Sequence, residues 1–262
     1  KSTTNPHKAR DLFLAKTPYL IFDIASLFIL SKFIKEKILK KSVILLWLFN
    51  PVNLYATYLM GQFDIIPTFF ILIGFYYLRT NSAIGLLLLG IAASFKNYAL
   101  LFVISTAIIY GDTWLKRLKL LSIGLLPYLI FLIPILVNNL EQALYLITPK
   151  AYLHYRKPLE GWALYSQIIK YVILLVSYIF ILAMSWSPKV KDKWKLATAI
   201  SLVSILLVFA IAPRISFHYL MWGIPLVLLW FKDVKFASYI IAFQTLGLAS
   251  YKLLANHLQL GL

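Results

Sequence analysis

Between Asn50 and Pro67 the chain reads Asn-Pro-Val-Asn-Leu-Tyr-Ala-Thr-Tyr-Leu-Met-Gly-Gln-Phe-Asp-Ile-Ile-Pro, which sets Gln62 and Asp64 between two apolar runs. A carboxylate at the margin of a hydrocarbon layer is expensive unless it faces water, a partner or a ligand, so Asp64 is a functional-site candidate. Asp64 could position or deprotonate a hydroxyl nucleophile. Lys96, Arg214 and His218, with His154, Tyr155, Arg156 and Lys157 from a long polar stretch, could hold a phosphate leaving group and stabilise its developing charge. Such a set suits group transfer between lipid-linked molecules. Each residue also has a plainer reading. Asp64 could be a helix cap or an ion-pair partner of Lys96. Asp23, inside the first apolar run, could pair with a Lys or Arg of a neighbouring helix. Lys96 and Arg214 could snorkel to an interface, and His218 and the nearby aromatics could form an interfacial belt. Metal chemistry finds little support: His7, His154, His218 and His257 show no ligand spacing, and no Asp-x-Asp pair is present.

These residues must be positioned by membrane helices. Hydrophobic residues make up 61% of the 262 and charged residues 13%, and the mean hydropathy is +0.83, well outside the range of soluble domains. The net charge of +17 would fit nucleic acid in a soluble chain, but here the basic residues fall between apolar runs, so membrane orientation explains them and no nucleic-acid partner is expected. Cysteine is absent, which removes disulfides and thiolate chemistry. No Walker loop, Gly-x-Ser-x-Gly or Gly-x-Gly-x-x-Gly is present.

The expected fold is all-α, a polytopic transmembrane bundle of about ten membrane segments. Residues 1–16 are read as the end of an outer loop and 17–262 as the transmembrane domain, with a long outer loop at about 138–165. Spans are expected near 18–34, 43–60, 65–78, 83–95, 98–110, 120–137, 167–186, 196–212, 219–230 and 234–254. The turns assigned to the inner side hold five, one, three, four and two Lys or Arg in order, fifteen of the 26, which places Gln62 and Asp64 on the non-cytoplasmic side.

Lys16, Thr17 and Pro18 followed by Ile21, Phe22 and Asp23, then Phe49-Asn50-Pro51, then Gly61-Gln62-Phe63-Asp64, and Lys96 closing the run from Gly90, together resemble the pattern of polytopic GT-C glycosyltransferases. The segment Arg214 to Pro225, with Phe217, His218, Tyr219 and Trp222, is similar to a late segment of the same superfamily. The nearest likeness is to mannosyltransferases related to those of GPI-anchor synthesis and to polyprenyl-phosphate-mannose-dependent enzymes. The resemblance implies a GT-C-like bundle that moves a sugar, commonly mannose, from a polyprenyl or dolichyl phosphate donor to a lipid-linked or protein acceptor on the non-cytoplasmic face. It implies a plasma-membrane protein in a prokaryote or an endoplasmic-reticulum protein in a eukaryote. By the same likeness, Asn50, Gln62 and Asp64 would line the active-site cavity, and Lys96, Arg214 and His218 would contact donor phosphate, with His154 and Arg156 as loop candidates. The partners implied are membrane lipids, the lipid-phosphate sugar that serves as co-substrate, and the acceptor. No metal cofactor is assigned.

GT-C enzymes take their principal carboxylate from the first outer loop. The chain is read as starting inside a longer protein, at the end of that loop, so the principal base is expected upstream of Lys1; Asp11, close to the membrane, is a poor substitute. An alternative class is a non-catalytic subunit that binds lipid or glycolipid, as the GPI transamidase subunit resembling these enzymes does. A transporter or flippase ranks last, because no paired set of Pro- or Gly-broken helices marks an internal repeat.

Overall fold

The computed structural model describes residues 8–140, 162–186, 191–211, 217–230, 238–239 and 242–247. Among them the chain is all-helical, with no strand. Five helical stretches are long and apolar enough to cross a membrane: Leu14–Phe33, Lys37–Leu59, Trp114–Asn138, Ile168–Ser185 and Lys193–Ala210. Ile65–Tyr77, Ser82–Phe95 and Asn97–Tyr110 are shorter apolar helices. This is the make-up of an integral membrane protein. The expected segment near 219–230 is broken into a 3-10 turn, Phe217–Trp222, and a short helix, Ile224–Trp230, and most of the segment near 234–254 lies outside the described residues.

The chain divides into two compact units, Lys1–Tyr76 with Ser216–Leu262, and Tyr77–Ile215. In the first, helix α1 (Lys8–Phe33) leads to α2 (Lys37–Leu48). A single turn, Pro51–Asn53, then runs into a π-helical turn, Leu54–Leu59, and α3 (Ile65–Tyr77) follows. The polar start expected to be loop up to residue 16 is helical from Lys8, because Lys8, Ala9, Arg10, Leu14 and Ala15 are good helix formers. The helix continues through Pro18, giving up one ladder bond there. The core of this unit joins Leu30 of α1, Val43 and Trp47 of α2, Ile65 and Leu72 of α3, and Met221 and Ile224 from the late segment. Phe22 stacks against Phe69 and Phe70, with ring centroids 5.4 and 6.0 Å apart. The short helix Ile224–Trp230 (α9) belongs to the same unit.

The second unit contains α4 (Ser82–Phe95), a 3-10 turn at Asn97–Ala99 leading into α5 (Leu100–Tyr110), α6 (Trp114–Asn138), α7 (Trp162–Ser185) and α8 (Lys193–Ile211). Asn81 caps α4 by accepting from Ala83 N and Ile84 N, and Thr113 caps α6 by accepting from Lys116 N. Both caps mark starts that a hydropathy pattern places only approximately. α4 and α6 approach closely at Gly90 and Gly124. A Cβ placed on Gly90 would sit 1.9 Å from the Gly124 carbonyl oxygen and 3.1 Å from Cδ of Pro127. Small residues let helix backbones touch in a membrane bundle, where packing replaces the hydrophobic driving force. Gly90→Ala is therefore expected to cost about 1–3 kcal/mol by forcing the two backbones apart, read as a lower midpoint of unfolding in detergent. The tyrosine hydroxyl of Tyr178 donates to the Leu101 carbonyl at 2.7 Å and ties α7 to α5.

Asp112, exposed between α5 and α6, accepts from Lys116 at 2.7 Å and from Lys193. The bonds from these two lysines hold its carboxyl down at about 2. An unfolded aspartate titrates near 3.9, so the contribution is complete above about pH 4 and is lost as pH falls through about 2. Because the site is exposed, the expected effect is small and removable by salt. Asp112→Asn should flatten the loss of thermal midpoint between about pH 4 and 2, and only at low ionic strength.

Candidate functional site

α1 presents Lys16, Tyr19, Asp23, Ser26 and Leu30 on one face, spaced by threes and fours as a helix requires. The stripe is polar as far as Ser26 and apolar at Leu30. Asp23 is 9% exposed, and its carboxylate is held by three neutral donors. Trp47 Nε1 donates to Oδ1 at 2.6 Å, Asn53 Nδ2 to Oδ1 at 3.1 Å, and the Tyr58 hydroxyl to Oδ2 at 2.6 Å. Thr57 extends the network by donating to Asn53 Oδ1 at 2.9 Å. The expected Lys or Arg partner for Asp23 is thus replaced by indole, amide and phenol. Hydrogen bonds to a charged acceptor in a low-dielectric setting are strong ones, and a shared network of this kind is over-determined.

The backbone of 50–64 is shaped to deliver these donors. Asn50 is buried and acts as a cap: its Oδ1 accepts from Val52 N at 3.0 Å and Asn53 N at 3.1 Å, while its Nδ2 donates to Gln244 Oε1 at 3.0 Å. Pro51 follows at the first helical position, where its missing N–H costs nothing. From Leu54 to Leu59 the ladder widens, with Met60 N bonding to Tyr55 O at 2.8 Å, five residues back. π-turns concentrate at functional positions. The turn ends at Gly61, whose φ of +69° is the left-handed conformation that glycine adopts without strain, and Gln62 N then reaches back to Ala56 O at 2.9 Å. Lys16 Nζ donates to the Tyr58 carbonyl at 2.5 Å, fixing this end of the turn to α1.

Asp64 lies just beyond and is fully buried. Trp222 Nε1 donates to its Oδ1 at 2.8 Å, and its backbone carbonyl accepts from Thr68 N at 3.2 Å and Thr68 Oγ1 at 2.7 Å. Trp222 in turn stacks on Tyr219, ring centroids 4.4 Å apart. The late segment singled out in the sequence does therefore meet the Gly-Gln-Phe-Asp stretch, through Trp222. The first unit holds two buried carboxylates, each gripped by an indole N–H, on either side of one irregular turn.

Of the residues picked from the sequence, Asn50, Gln62 and Asp64 belong to this unit, with Gln62 half-buried. Lys96 belongs to the other unit, where it ends α4 and its N–H bonds to Ala92 O. His218 lies on the turn Phe217–Trp222, but its side chain is outside what is described. Arg214, His154, Tyr155, Arg156 and Lys157 lie outside the described residues. Trp47, Asn53, Tyr58 and Trp222 were not expected as ligands of the carboxylates. The available signal was Asn53 and Thr57, polar residues four apart inside an apolar span. Among the described residues no cluster of three or more His, Asp or Glu could hold a metal ion.

No family model, no curated protein and no solved structure matches this chain.

Proposed function

We propose that the protein is a membrane glycosyltransferase of the GT-C type, a bundle of about ten membrane segments that moves a sugar, on present grounds mannose, from a polyprenyl or dolichyl phosphate to a hydroxyl of a lipid-linked or protein acceptor on the non-cytoplasmic side. The observation that carries the reading is Asp64: a fully buried carboxylate beside a half-buried Gln62, supported by Trp222 at 2.8 Å, at the end of a membrane-length helical stretch. A carboxylate there suits the wall of a transfer site: its charge can offset the positive charge that develops on the sugar as the phosphate leaves. Gln62 and the aromatic pair Tyr219–Trp222 are the groups that commonly bind sugar hydroxyls and faces. Lys96, Arg214 and His218 keep the donor-phosphate role that the resemblance gives them.

The test is reconstitution of the protein in liposomes with a radiolabelled polyprenyl-phosphate sugar and extracted membrane acceptors. Transfer of label to a lipid or protein acceptor is expected with mannose first. Absence of transfer with mannose, glucose and galactose donors alike would overturn the proposal.

One observation favours a non-catalytic glycolipid-binding subunit instead. Asp64, the carboxylate given the chemical role, is fully buried and bonded to Trp222, as a carboxylate that serves structure would be. That alternative predicts saturable retention of a lipid-linked glycan with no turnover.

A further inference from the structure

One end of the second unit gathers a cluster that the proposed transfer chemistry does not use. It is formed where α5 ends, α6 begins, α7 ends and α8 begins. The Arg117 guanidinium lies over the Trp186 ring, 3.9 Å from its centroid, and the Trp186 and Trp114 rings are 5.7 Å apart. Arg79 lies over Trp194 at 4.3 Å. Lys116 and Lys193 share Asp112, and Lys195 pairs with Asp192 at 3.2 Å. Across the described residues of this end, 79–82, 110–119, 186 and 191–195, seven Lys and Arg stand against two Asp.

Beneath the aromatic rim lies a hollow of about 130 Å³. Ile104, Ala107 and Ile108 of α5 and Leu118 and Leu121 of α6 line it, and Arg117, Trp114 and Trp186 border it. Its walls are almost wholly apolar. Arg117 is fixed in place, because its Nε donates to the Gly111 carbonyl at 2.9 Å while its ring contact holds the plane of the guanidinium. Five donors in a rigid fork match a phosphate better than an ammonium does, and here one is spent on the backbone.

We propose that this end binds the phosphodiester head group of an anionic phospholipid, with Arg117 and Lys116 on the phosphate and an acyl chain along the Ile104, Ile108 and Leu121 wall. Charge complementarity identifies the occupant: the excess of cations suits an anion, and the apolar hollow bordered by Arg117 suits one that carries a hydrocarbon tail. Basic pockets between membrane helices hold anionic head groups, and tryptophan rims mark the head-group level. The site belongs to the second unit and Asp64 to the first, so the lipid binding proposed here does not depend on sugar transfer.

The experiment is native mass spectrometry of the full chain released from detergent after incubation with phosphatidylglycerol or phosphatidylcholine. Phosphatidylglycerol adducts should survive release in preference to phosphatidylcholine. Arg117→Gln should weaken them about fivefold, and Lys116→Gln combined with it about 25-fold, at roughly 1 kcal/mol per charge. Lys40→Gln with Lys41→Gln, basic residues of the first unit, should leave them unchanged. If Arg117→Gln loses helical content by circular dichroism, Lys116→Gln alone, exposed on α6, decides in its place with a loss of the same sign. Equal retention of the two lipids, equal loss in the Lys40 and Lys41 variant, or displacement of the lipid by inorganic phosphate at physiological concentration would overturn the proposal.

Discussion

Asp23→Ala should lower the unfolding free energy of the first unit by about 3–5 kcal/mol, among the largest effects available to a single substitution in this protein. The size follows from what is left behind. The indole N–H of Trp47, the amide of Asn53 and the hydroxyl of Tyr58 all end on this carboxylate, and each would be stranded in a buried setting. A stranded donor costs about 1–3 kcal/mol, and partial relaxation keeps three of them from adding in full. Asp23→Asn should be milder, at about 1–2 kcal/mol. Its amide keeps one acceptor oxygen but turns a donor toward a donor unless the Tyr58 hydroxyl rotates to accept. The measurement is the SDS or thermal midpoint of the detergent-solubilised protein, followed by tryptophan emission, since Trp47 reports directly on the site. A loss below about 1 kcal/mol for Asp23→Ala would show that water replaces the carboxylate and that the network is not a closed one.

Asp64→Asn should reduce sugar transfer by about a hundredfold in kcat while leaving insertion and unfolding midpoint nearly unchanged. The amide oxygen can still accept from Trp222, and the bonds from Thr68 run to the backbone carbonyl, so the substitution removes charge without removing geometry. That separation makes it the sharper test of chemistry. Trp222→Phe is the companion: it deletes the N–H and keeps the ring that stacks on Tyr219, so it should lower transfer less and stability more. Unchanged transfer in Asp64→Asn would return Asp64 to a structural role. The same variant measured for glycolipid retention separates the enzyme from the binding subunit, because only the enzyme needs the negative charge in its transition state.

Much of the helical order is readable from apolar runs, and the reason is the membrane itself: long apolar stretches with basic turns leave little choice of element. The expected spans near 65–78, 83–95 and 98–110 agree with α3, α4 and the stretch Asn97–Tyr110 to within a residue or so. Where polar residues are good helix formers the pattern is silent, so α1 and α6 begin earlier than expected, at Lys8 and Trp114. The site was legible in part. Asp23, Asn50, Gln62 and Asp64 stand out because polar groups are rare there, but their partners do not. Nothing in the type of Trp47 or Trp222 separates an indole that bonds a carboxylate from one that fills the core, and the pairing of Trp222 with Asp64 spans 158 positions. The π-turn was invisible for a different reason: a single widened turn leaves the apolar periodicity of its neighbours almost intact.

That turn has a further consequence. Each residue advances a helix by about 100°, so one extra residue in Leu54–Leu59 turns the last residues before Gly61 by that angle relative to an unbroken helix. Tyr58 faces Asp23 and Asp64 faces Trp222 in the widened register. The count of residues in the turn therefore decides which side chain reaches Asp23, and the length of chain left before Asp64 is set with it. Deleting one residue between Leu54 and Leu59 would leave every remaining side chain chemically intact and still put the two sites out of step.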